Sequence, residues 1–207
     1  MTTTPETAAA VAVEQATEAA GSLRVVDGVT FPAPGTYVLD AAHTRIGFVA
    51  RHLMVTKVRG AFLDFTGSIT VAENPKDSTA EAVLKTLSID TGNADRDTHL
   101  RSGDFLEAEK YPEISFRNAR IQSQKGTDFK VVGDLTIKDT THEVVLDVEL
   151  DGVAKDPWGN EKLAVTASTE IDREDWGMTW NVALETGGVL VSKKIRLEIE
   201  TQAARQA

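Results

Sequence analysis

The sequence predicts an all-β fold, an antiparallel barrel of about eight or nine strands with one or two short helices. Three observations carry this. Apolar and polar residues alternate with a period of two through most of the chain after residue 35. Turn-forming pairs such as Asn74-Pro75, Lys125-Gly126, Asp151-Gly152 and Gly187-Gly188 separate the alternating runs. Residues 93–105 are the exception to the pattern. A sandwich would fit the same alternation, but closure removes exposed strand edges and favours the barrel.

In chain order, residues 1–22 are rich in Ala, Thr and Glu, carry no sustained apolar stripe, and read as a disordered tail. Residues 23–35 (LRVVDGVTFPAPG) form a lead-in segment, one strand-like run ended by Pro-Ala-Pro-Gly. The barrel domain spans residues 36–202. Its first strands are 36–40, 45–51, with Ile46, Phe48 and Ala50 on one face, 65–71 and the less regular 80–89. Further runs centre on Ile114 and Phe116, on Phe129 to Ile137, and on Val144 to Leu150. Leu163, Val165, Ala167, Thr169 and Ile171 share the face of the next strand, and Ile195, Leu197 and Ile199 that of the last. Residues 93–105 lack alternation, and Asn93 can cap a helix with acidic residues in its first turn. Residues 172–178 (DREDWGM) predict a second helical turn.

Composition narrows the function. Lys and Arg total 22 against 32 Asp and Glu, a formal net charge of −10. Such a surface repels nucleic-acid phosphates and anionic headgroups, so neither is expected as a partner. The absence of cysteine removes thiol catalysis, thiolate metal sites and disulfides. No apolar run is long enough to insert in a membrane as a helix. Arg24 is the first basic residue, and Glu14 and Glu18 interrupt the alanines, unlike a secretory signal; a cytoplasmic location is expected.

The four histidines, His43, His52, His99 and His142, show no ligand spacing, so no metal is expected. No G-x-S-x-G, S-x-x-K or phosphate-binding glycine loop is present, and neither catalysis nor a cofactor is expected. The aromatic residues Phe48, Phe62, Phe65, Phe105, Phe116 and Phe129 lie in or beside strands. They form either an ordinary core or the lining of a pocket for an apolar ligand.

Two stretches go beyond composition. DAAHTRIGFVARHLMVTKVRGAFLDFTGSI (residues 40–69) resembles the opening of the YceI-like family, and SIDTGNADRDTHLRSGDFLEAEKYPEISF (residues 88–116) resembles its central signature. GDLTIKDTTHEV (133–144) and IDREDWGM (171–178) are weaker matches. The resemblance implies an eight-stranded antiparallel lipocalin-like barrel with a long apolar tunnel for polyisoprenoid chains, such as those of isoprenoid quinones, or similar long-chain lipids. Carried onto this chain, it makes Phe48, Phe62, Phe65 and Phe116 tunnel walls. Leu100 and Phe105 bring the helix over a barrel end. His52 and Arg59 either sit at the mouth beside a polar headgroup or satisfy backbone groups at strand ends. The leading function is a carrier or sequestering protein for an elongated apolar molecule. The alternatives are an enzyme acting on a lipid in the barrel, with His52 and a carboxylate, and an adaptor using the barrel exterior. A homodimer is left open.

Overall fold

The computed structural model describes residues 23–26, 28–53, 55–185 and 188–206; the tail expected over residues 1–22 lies outside them. Thirteen strands are present among the described residues. A hairpin of β1 (Arg24–Val26) and β2 (Val29–Phe31) comes first, turning at Gly28 with φ 80°. There follow β3 (Gly35–Leu39), β4 (Arg45–His52), β5 (Thr56–Phe62), β6 (Phe65–Val71), β7 (Thr79–Lys85) and β8 (Ile89–Asp90). Helix α1 (Ala94–Arg101) precedes the long strands β9 (Glu113–Lys125), β10 (Asp128–Ile137), β11 (Thr140–Lys155), β12 (Glu161–Asp172) and β13 (Lys194–Arg205).

The register resolves the sheet into eight strands. β13 pairs with β4 through Arg196–Glu200 and with β3 through Ala203–Arg205, so β3 and β4 are two halves of one bent strand. β5 and β6 pair with those halves in turn, and β8 and β7 with β5 and β6. The barrel is therefore an up-and-down meander whose last strand, β13, pairs back onto the first and closes it. Short capped turns make the bends. Asp40 caps the turn Ala41–His43, accepting from Ala42 N at 3.1 Å, and the turn Thr86–Ser88 separates β7 from β8.

Closure follows from alternation. Residues such as Val165, Leu197 and Leu146 face inward, and their neighbours Thr166, Arg196 and Asp147 carry the polar exterior. The sequence reading omitted β5. Its segment TKVRGAF places exposed Lys57 and Arg59 on the wet face and a glycine at a dry position, which leaves too little apolar signal for a strand. The first helix begins where expected: Asn93 Oδ1 accepts from Arg96 N at 2.9 Å. The second helical turn is a 3-10 turn, Arg173–Trp176, ended by Gly177 at φ 73°.

Two clusters occupy the barrel ends. At the hairpin end Tyr37, Val71, Leu163 and Ala203 are buried together, and Phe31 meets Phe129 edge-on at 6.3 Å. The larger cluster, at the helix end, holds Phe105, Leu106, Ile114, Trp176 and Met178.

Candidate functional site

Between these clusters the barrel is not filled. A cavity of about 380 Å³ runs through its interior, within the range of roughly 300–1,000 Å³ typical of small-molecule sites. Its wall extends along β12 from Leu163 to Ile171, roughly 26 Å at about 3.3 Å per residue. It is elongated because each inward row continues along a long strand, and apolar because those rows are Val, Leu, Ile, Ala and Phe. The inward side chains of the middle, such as Phe48, Phe116, Leu146 and Leu197, are only partly buried although they point into the barrel, because they border empty space.

Two wall aromatics pack against glycines of the adjacent strand. A Cβ on Gly60 would stand 2.4 Å from Phe48 Cζ, and one on Gly133 would stand 2.4 Å from Phe116 Cζ. Only glycine lets these rings rest on the backbone, which keeps them out of the lumen. Phe48 and Phe62 also meet, with ring centres 6.1 Å apart.

The wall reaches solvent on one flank. β7 and β9 pair only over Ala82–Lys85 and Glu113–Phe116. Beyond them β9 bends at Asn118, which has a φ of 53°, and its register with β10 shifts twice. Thr79 and Glu81, both exposed, line the cavity where the two strands part. An exposed ion pair, Arg117 to Glu81 at 3.4 Å, spans this parting.

Of the eight residues singled out in the sequence, Phe48, Phe62, Leu100, Phe105 and Phe116 line the cavity. Phe65 is half-buried and packs against the larger cluster. Leu100 and Phe105 carry the helix segment over one barrel end, where Phe105 sits 5.4 Å from Trp180 and 5.1 Å from His99. His52 is half-buried at the end of β4 and bridges to Val191. Arg59 is exposed on the outer face of β5. His43 is hydrogen-bonded to Asp40 and His99 to Asp104, at 3.0 and 2.8 Å. Among the described residues no three or more His, Asp or Glu side chains cluster as a metal site would require.

A buried cation at the cavity escaped the sequence reading. Arg173 is 2% exposed and lines the helix end of the lumen. Its Nε donates to Ser192 O at 3.1 Å and its Nη1 to Met178 O, while Phe105 lies 5.8 Å away. Burial holds its pKa below that of an ordinary guanidinium. The signal was present: Arg173 continues the odd-numbered inward row Leu163, Val165, Ala167, Thr169, Ile171. A charge between Asp172 and Glu174 reads as surface unless that parity is followed.

At the opposite end Glu161, also buried, accepts from Ala33 N at 2.8 Å and from the Tyr37 hydroxyl. Burial, and next to it Glu161, push the Tyr37 phenol well above its ordinary value.

The YceI-like domain model matches residues 37–203. The chain belongs to the YceI-like family. A UPF0312 protein of Staphylococcus aureus strain N315 is 39% identical over 168 residues, 80% of this chain and 95% of the relative. A YCEI protein of Campylobacter jejuni, solved by crystallography, superposes with a TM-score of 0.66 at 30% identity, covering 76% of this chain and 90% of that one. A polyisoprenoid binding domain from Saccharophagus degradans shares the fold, with a TM-score of 0.61 at 14% identity and coverage of 82% and 98%. The closed eight-stranded barrel with helix α1 is thus the YceI-like fold. No helix among the described residues is long and apolar enough to cross a membrane.

Proposed function

We propose that this YceI-like barrel holds one elongated apolar molecule in its lumen, a polyisoprenoid, an isoprenoid quinone or a similar long-chain lipid. It acts as a carrier or sequestering protein in the cytoplasm and not as an enzyme. The observation that carries this reading is the long cavity walled by the inward rows of the barrel strands. Each methylene moved from water into such a wall contributes about 0.8 kcal/mol. Ordering the chain offsets part of that, so affinity grows with buried length and requires no reactive group. A relative of the same fold is described as a polyisoprenoid binding domain, which is consistent with this ligand class.

The test is native mass spectrometry of freshly purified protein, with lipid extraction. One apolar molecule per chain, replaceable by added quinone, is the expected result. Folded protein that neither carries nor takes up a long-chain lipid would refute the proposal.

A further inference from the structure

A buried cation with spare bonding capacity borders the helix end of the lumen. Two of the three guanidinium nitrogens of Arg173 donate to the backbone, to Ser192 O and Met178 O. The third, Nη2, is buried and has no hydrogen-bond partner. The neighbouring carboxylates are otherwise engaged. Asp172 caps the turn by accepting from Glu174 N at 3.1 Å, and Glu174 pairs with Lys193 at 2.6 Å. Among the described residues no ion pair within 4 Å involves Arg173. An unpaired buried donor is costly, the more so when it is charged. A charged donor held at one end of an otherwise apolar lumen therefore favours a guest that brings an oxygen acceptor.

We propose that Arg173 is a ligand-binding residue, and that the molecule held in the lumen carries a carbonyl or oxyanion group seated against Nη2 at the helix end. The alkyl or isoprenoid chain then runs from Arg173 past Phe105 and Met178 toward the opening between β7 and β9. Nε and one N–H of Nη1 already serve the backbone, so the guest's acceptor meets Nη2, neither of whose N–H groups is used within the protein. The inference rests on the proposal that the lumen holds an apolar chain, and adds which end of the guest is polar and where it lies.

The experiment compares three sixteen-carbon guests on delipidated wild-type protein: hexadecane, 2-hexadecanone and hexadecanoate. Isothermal titration or displacement of a fluorescent fatty probe reads the affinities, and the ¹H–¹⁵N resonances of the Arg173 side chain are followed alongside. A hydrogen bond to a charged donor corresponds to about ten- to hundredfold in affinity. The ketone and the acid should both exceed hexadecane by that factor and shift the Arg173 resonances. If the acid alone does so, the acceptor is an oxyanion. Equal affinity of all three guests with unshifted Arg173 resonances overturns the Arg173 site while leaving the lipid-holding reading intact. Failure of all three to bind overturns both. In Arg173→Met the preference for acceptor guests should collapse to about onefold while hexadecane still binds. If that variant does not fold, since it also loses the Ser192 and Met178 contacts, the wild-type comparison and its resonances still decide.

Discussion

The helix end and the middle of the barrel are built from the same kinds of residue but use space differently. At the helix end Trp176 is 3% exposed, its indole donates to Leu135 O at 3.3 Å, and His142 meets it edge-on at 4.9 Å. In the middle, Phe48 and Phe116 face the same interior, yet each has protein on one side and open lumen on the other. Eight strands enclose enough width either for interlocking side chains or for one slender guest. The helix and the 3-10 turn supply extra atoms that fill one end. The middle has only its own inward rows, and in Gly60 and Gly133 it gives up side chains altogether. Apolar patterning therefore sets which residues face inward, while the elements that cross the barrel ends decide where the interior is solid.

The contrast can be broken by truncation. Trp176→Ala opens a void in packed surroundings and should cost about 3–5 kcal/mol in urea unfolding of ligand-free protein. Phe116→Ala removes a ring that already lacks partners on one side and should cost about 1–2 kcal/mol, while weakening lipid binding. Equal losses at the two sites would mean that the middle is as solid as the end. Gly133→Ala sharpens the point. Its new methyl must displace the Phe116 ring toward the lumen, so a stability loss of about 1–3 kcal/mol should accompany reduced capacity for bulky chains. Unchanged uptake of a full-length isoprenoid by that variant would show that the ring moves elsewhere.

Much of this was legible in the sequence, and the reasons for the exceptions are physical. Alternation located the inward rows of β10 to β13 because long straight strands repeat the pattern enough times to be seen. β5 was lost because Gly60, on which Phe48 lies, carries no apolar signal. Asn93 announced α1 through its side-chain oxygen. The opening beside Thr79 and Glu81 had no local signature, because it arises where β7 and β9 diverge. Arg173 was concealed by its chemistry, since a buried guanidinium is rare and its acidic neighbours make it look solvated.

Smaller effects probe the hairpin end and the flank. The raised Tyr37 pKa gives a sign. The unfolded chain releases this proton near pH 10, whereas the folded protein retains it to higher pH. Stability should therefore be unaffected by this group below pH 10 and should fall as pH rises above it. Tyr37→Phe should flatten that alkaline fall, read as melting temperature against pH, and an unchanged slope would place the titration elsewhere. Arg117→Ala breaks only an exposed pair, so stability should change by less than about 1 kcal/mol. Ligand release should become faster, as measured by stopped-flow displacement, if the guest passes between β7 and β9; an unaltered rate would argue for another exit.

The central claim, that the barrel middle is a lumen for an apolar chain, is tested most directly by affinity against chain length. Delipidated protein is titrated with a homologous series of unbranched fatty acids. Each methylene that enters the wall should tighten binding by up to about fourfold, the equivalent of roughly 0.8 kcal/mol, until the lumen is full and the affinity levels off. An affinity indifferent to chain length, or one that climbs without a plateau as at a surface, would contradict the account.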